Sequence, residues 1–314
     1  MEVTKDIIKY KFRHSTYYAE ISPNKKYLAV VGKSIYIYNY ETGKKEKVYQ
    51  ILKYPSEIAF SNDSSLLAIK NTSGHIAVIN ILTDEVVCKN KMHNVEGCEL
   101  YFSPDDKYII TGDWKGNIMM LNIKDNSCLG LNKLKRKDGT SKVDNIQKIE
   151  DDIYIFQSSF FNDYTKWIWK YPFKEKVLIK HDEGYNMECF CQANGLCARY
   201  SHMTNCYTII NQYNNIVSLL LPLSKEENFN GGWTFLKCSS WSVDGKYFAT
   251  VINRYAPEEN VVNSIRFYET KTWTIVKEYE LEYACFVRFT PDGENVILGS
   301  WLAGYCIDIK ELER

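Results

Sequence analysis

The sequence predicts an all-β fold, a seven-bladed β-propeller with four antiparallel strands per blade, and three observations carry that reading. A turn phrase flanked by β-rich runs recurs along the chain, its copies are spaced at the length of one blade, and the two ends supply complementary parts of a last blade. Five copies are explicit: Ile21-Ser-Pro-Asn-Lys-Lys-Tyr27, Phe60-Ser-Asn-Asp-Ser-Ser-Leu66, Phe102-Ser-Pro-Asp-Asp-Lys-Tyr108, Trp241-Ser-Val-Asp-Gly-Lys-Tyr247 and Phe289-Thr-Pro-Asp-Gly-Glu-Asn295. Two degenerate copies, at Ile149-Glu-Asp-Asp and Cys191-Gln-Ala-Asn-Gly-Leu-Cys197, fill the interval between the third and the last two. The anchors at 21, 60, 102, 149, 191, 241 and 289 are 39, 42, 47, 42, 50 and 48 residues apart, the period of about 40 to 50 expected of propeller blades. Tyrosine (24) and phenylalanine (14) are plentiful while glycine (16) and proline (7) are sparse, which favours strands over helices.

Each element has a local cause. The turns offer proline for a fixed φ and glycine or asparagine for a positive one, as tight hairpins need. Second strands follow at Tyr27 to Val31, Leu66 to Ile69, Tyr108 to Thr111, Tyr247 to Ile252 and Val296 to Leu298. Third strands follow at Ile35 to Tyr38, Ile76 to Ile79, Ile118 to Leu121, Trp167 to Trp169, Thr208 to Ile210, Ile265 to Tyr268 and Tyr305 to Ile307, mostly closing on a polar residue such as Asn39, Asn80, Asn122, Asn211 or Asp308. Fourth strands come next, as at Lys47 to Ile51 and Thr274 to Tyr279. The last blade runs out of chain after its third strand, whereas Asp6 to Phe12 has no other partner. That segment is expected to pair with Tyr305 to Ile309, giving one closed domain over residues 1–314 without open sheet edges.

These residues carry a resemblance. Phe102-Ser-Pro-Asp-Asp, the third strand ending Leu121-Asn122, and His93 nine residues before Phe102 are similar to the WD40-type repeat and its bacterial relatives. The resemblance spans the chain but omits the Trp-Asp dipeptide and the Gly-His pair, and Lys115 stands where the buried aspartate of such repeats is expected. It implies a propeller that displays surfaces to partners, and it implies no chemistry.

Composition narrows the function classes. Thirty-nine basic and 39 acidic residues leave no net charge, so neither a nucleic-acid partner nor a membrane surface is expected. Residues 1–15 are interleaved with charge and lack a signal-peptide core, and no apolar window approaches membrane-helix length. A cytoplasmic protein with ten reduced cysteines is the expectation. Cys189, Cys191, Cys197 and Cys206 lack zinc-ligand spacing, and the five histidines are scattered, so no metal and no cofactor is expected. Gly32-Lys33-Ser34 imitates the end of a phosphate loop inside a hairpin. The basic run Lys133-Leu-Lys-Arg-Lys137 reads as a solvated connection. No catalytic motif is found.

Geometry supplies candidate site residues instead. Strand alternation turns the residues one and three before each anchor towards the central channel. Glu57, Glu99 and Glu188 share the upper ring, with Arg288 among the lower positions. Gathered glutamates need a compensating cation. Trp114 and Trp301 lie twelve residues after their anchors, in equivalent turns, and Trp233 precedes the first strand of blade six. Exposed aromatics around a channel mouth suit a protein-recognition hot spot. The expected function is therefore a non-catalytic scaffold binding a protein or peptide partner there. The alternative is a propeller enzyme, lactonase- or lyase-like, acting on a small anionic or sugar substrate through the channel-mouth acids and Arg288.

Overall fold

The computed structural model describes residues 3, 5–92, 95–133, 142–160, 163–173, 176–181, 187–201, 206–211, 213, 215–220, 227–229, 238–254 and 262–314. These form seven antiparallel sheets, a seven-bladed β-propeller, in two compact units. The unit Tyr18–Gly184 holds blades one to four. Blade one comprises Tyr18–Ile21, Tyr27–Val31, Ile35–Asn39 and Lys45–Tyr49; blade two Pro55–Phe60, Leu66–Asn71, His75–Asn80 and Val86–Lys91. Blade three comprises Gly97–Phe102, Tyr108–Asp113, Asn117–Asn122 and Cys128–Lys133; blade four Asn145–Lys148, Ile153–Phe160, Asp163–Lys170 and Lys176–His181.

The unit formed by Met1–Tyr17 and Tyr185–Arg314 holds the other three. Blade five is Met187–Phe190, Cys197–Ser201, Cys206–Ile210 and Ile216–Leu220. Blade seven is Ala284–Phe289, Asn295–Ser300 and Gly304–Asp308, completed by Ile8–Phe12, whose Ile8, Lys11 and Phe12 stand opposite Ile307, Tyr305 and Gly304. The expected clasp of first residues on last is therefore present. Blade six departs from the plain pattern. Its second strand, Tyr247–Arg254, outruns the three-residue first strand Ser239–Trp241, and Glu227–Phe229 pairs with the overhang at Ile252 to Arg254. The extra segment takes up backbone groups that would otherwise lack ladder partners.

The repeated turn is explained by one hydroxyl. Ser22, Ser61, Ser103, Ser242 and Thr290 each donate to the side chain two residues on, Asn24, Asp63, Asp105, Asp244 or Asp292, at 2.5 to 2.7 Å. The same hydroxyl accepts the N–H that starts the second strand, from Tyr27, Leu66, Tyr108, Tyr247 or Asn295, at 2.8 to 3.0 Å. One side chain thus closes both sides of each hairpin. The residue four past the anchor is left-handed in every explicit copy: Lys25, Ser64, Asp106, Gly245 and Gly293, at φ between 55° and 74°. Neighbouring hairpins are laced together, Asn24 N–H to Ser64 Oγ at 3.0 Å and Asn62 Nδ2 to Asp106 Oδ1 at 2.7 Å.

Third strands end on Asn39, Asn80, Asn122, Asn211 and Asp308 because each side-chain oxygen caps the following turn, accepting from Thr42, Leu82, Lys124, Tyr213 and Lys310 at 2.9 to 3.0 Å. Blade four lacks the hydroxyl and is held by rings, with Trp169 5.0 Å from Phe173 and Tyr154 5.7 Å from it. Cys189 and Cys191 are buried apolar thiols in the core of blades five to seven. Among the described residues no helix is long and apolar enough to cross a membrane.

Candidate functional site

In blades two, three and seven the turn joining the second to the third strand follows one plan. The residue eleven past the anchor caps the turn: Asn71 Oδ1 accepts from Ser73 and His75 N–H, Asp113 Oδ1 from Lys115 and Asn117, and Ser300 Oγ from Leu302 and Ala303, all at 2.8 to 3.1 Å. The next residue donates its N–H back to the segment preceding the blade: Thr72 to Tyr54 O, Trp114 to Glu96 O and Trp301 to Tyr283 O, at 3.1 to 3.2 Å. The equivalence of Trp114 and Trp301 follows from this shared geometry. The buried carboxylate of the blade-three turn is Asp113, and Lys115 is exposed.

Trp301 is 50% exposed, with Tyr17 packed edge-on at 5.2 Å, and Tyr283 and Leu302 beside it are exposed as well. Three large apolar side chains in contiguous turns form a small apolar patch on blade seven. Trp114 is 43% exposed and differently dressed: the Lys142 ammonium lies 5.0 Å from its ring centroid and 2.5 Å from Asp144 Oδ1. Ammonium over an indole face is an attractive arrangement that fixes the ring.

Glu57 and Glu99 are buried, and the cation beside them is Lys70. Lys70 is 0% exposed and stands directly opposite Glu57 in the sheet of blade two. Its Nζ donates to Cys98 O at 2.9 Å, Thr111 Oγ1 at 2.8 Å and Gly112 O at 2.9 Å, all in blade three. Because Thr111 Oγ1 gives its own proton to Glu99 O at 3.1 Å, all three contacts need donors from lysine, which only the ammonium supplies. Burial pulls the Lys70 pKa below the ordinary lysine value, opposed by Cys98, Glu57, Glu99 and Asp113. Glu99 Oε2 accepts the Ile146 N–H at 3.0 Å, and the Asn145 amide turned to face it donates at 3.0 Å. The cluster therefore ties blade two to three and three to four. A side chain on Gly97 would meet Lys70 Nζ at 2.5 Å and Gly112 O, so glycine there is what admits the lysine.

Arg288 is half-buried on the first strand of blade seven. In the equivalent position Phe190 of blade five is exposed and Ser240 of blade six is half-buried, its Oγ accepting from Phe289 N–H at 3.1 Å. Glu188 lies in Met187–Phe190, opposite Arg199 in register. Trp233, His93 and Leu134 to Lys137 fall outside the described residues. The structure thus gathers Glu57 with Glu99 around Lys70, and Trp301 with Tyr283 and Leu302. Lys70, Lys142, Tyr283, Leu302 and Tyr17 are the participants that pattern reading missed. Lys70 left one trace, a charge closing the apolar run from Leu66 to Ile69. Among the described residues no group of three or more His, Cys, Asp or Glu could hold a metal ion.

Six four-stranded sheets and the five-stranded sheet of blade six make up a β-propeller, with tryptophans at the turn tips of blades three and seven. The β-propeller domain of Cps50 (Swd1) from Myceliophteria thermophila superposes with a TM-score of 0.72, covering 94% of this chain and 97% of that one at 9% identity. At that identity the likeness is one of fold. No family model matches the chain, and no curated protein does.

Proposed function

We propose that this chain is a non-catalytic, cytoplasmic interaction propeller that binds a protein or peptide partner through its second-to-third-strand turns. The observation that carries this reading is the patch of Trp301, Leu302 and Tyr283, presented on a turn fixed by Ser300 and by the Trp301-to-Tyr283 backbone bond. A half-exposed indole on a rigid platform loses little conformational freedom when covered, the condition for a binding hot spot. Trp114 offers a second such platform on blade three. Lys70, opposite Glu57 in its sheet, ties blade two to blade three, and Glu99 ties blade three to blade four. The nine cysteines among the described side chains are free thiols, which suits a reducing compartment.

Affinity capture followed by quantitative mass spectrometry tests it. Partners held by the wild-type protein should be lost from the Trp301→Ala, Leu302→Ala double variant while its melting temperature stays unchanged. A folded variant that keeps the same partners would remove this assignment.

A further inference from the structure

Resting on that reading, we propose that the turn end of blade three selects an acidic peptide segment, gripped by Lys115 and Lys133 around the Trp114 platform. The two lysines come to this end for separate reasons. Lys115 follows the Asp113 cap in the turn itself, its N–H fixed on Asp113 Oδ1 at 2.9 Å. Lys133 closes the fourth strand opposite Asn117, the first residue of the third. Both are exposed, and among the described residues no carboxylate engages either ammonium. Lys142 adds a third ammonium, fixed over Trp114 and shared with Asp144.

Two features favour a peptide over a nucleic acid. Lys142 occupies a face of the Trp114 ring, the surface that base stacking would need. Asp144 and Glu96 sit at the same turn and would repel a continuous phosphate chain, whereas discrete carboxylates alternating with apolar residues can pair with Lys115 and Lys133 and lay an apolar side chain on the indole edge. The chain as a whole, with no net charge, lacks the long-range field that polyphosphate binders use.

The test measures fluorescence anisotropy of a labelled dodecapeptide alternating glutamate, glycine and leucine, beside its lysine counterpart and a dodecathymidylate of the same length. The acidic probe should bind best, weaken with added salt, and lose at least tenfold in affinity to Lys115→Glu, Lys133→Glu protein that melts like wild type. Trp114→Ala should weaken it less. Equal binding of the acidic and basic peptides, tighter binding of the oligonucleotide, or indifference to the charge reversal would each overturn the inference. If the acidic probe fails while cellular partners are still lost on changing Trp301 and Leu302, the interaction reading stands and this assignment alone falls. If the acidic probe binds through the lysines while Trp301 proves dispensable, the reverse holds.

Discussion

Blade three and blade six place a buried threonine at the same point and feed it from the preceding blade by opposite means. Thr111 donates to Glu99 O at 3.1 Å and Thr250 to Cys238 O at 3.2 Å, nine and minus three residues from their anchors in each case. The donor arriving from blade two is the Lys70 ammonium at 2.8 Å; the one arriving from blade five is the Tyr207 phenol at 2.7 Å. Around Lys70 stand Glu57 and Glu99, whereas the matching positions at the other junction are Glu188, opposite Arg199 in register, and Cys238, buried in an apolar core. One junction brings a charged donor to its threonine, the other a neutral one.

That contrast can be broken by substitution. The largest effect is expected from Lys70→Met, which removes the ammonium beside two buried carboxylates and should cost about 3–5 kcal/mol in chemical denaturation. A loss below 1 kcal/mol would show that the junction is not ionic. Adding Glu57→Gln and Glu99→Gln to that variant should restore about 2 kcal/mol, because the uncompensated charges go with the lysine's partners; strict additivity of the three changes would argue that the groups do not sense one another. Tyr207→Phe at the neutral junction should cost only about 1 kcal/mol, one buried hydrogen bond. Equal costs for Lys70→Met and Tyr207→Phe would erase the distinction between the two junctions.

The smallest effect sharpens the comparison at the hairpins. Asp63 has its pKa lowered, chiefly by the hydrogen bond from the Ser61 hydroxyl. A depressed folded pKa means stabilisation that is fully present above the ordinary aspartate value of about 3.9 and lost as pH falls through the folded value. Asp63→Asn should therefore flatten the acid limb of the stability curve while changing neutral stability by under about 0.5 kcal/mol. Blade one already works with the amide, since Asn24 Oδ1 accepts from Ser22 at 2.7 Å and from Lys26 N–H at 3.0 Å. An unchanged acid limb, followed by urea midpoints between pH 2 and 6, would show that Asp63 does not carry it.

The fold was legible because its determinants are local. A hydroxyl one residue past each of the five explicit anchors, an Asn or Asp two further on and a left-handed residue after it form a signature within seven residues. The clasp of Ile8–Phe12 was legible from what the last blade lacked. The site was legible only in part. Turn equivalence found Trp114 and Trp301, since their exposure follows from position in the hairpin. Tyr17 and Lys142 reach these rings, and the Tyr283 carbonyl the Trp301 N–H, through contacts of long sequence separation, which no local pattern encodes. Lys70 escaped for the opposite reason: its strand reads as apolar, and only the approach of blade three shows what an ammonium finds there. The segment Glu227–Phe229 was invisible because three residues carry too little periodicity to mark a strand.

The strand that completes blade seven leaves the ribosome long before the strand it must join. At ordinary rates of translation the delay between Ile8–Phe12 and Gly304–Asp308 is on the order of tens of seconds. Throughout that time the nascent polypeptide carries a free β-segment, and the last sheet, once made, keeps an open side until that segment joins it. Newly made molecules therefore pass through a window in which one chain's leading segment can join another chain's final sheet, and crowded synthesis on polysomes is where such exchanged pairs would arise.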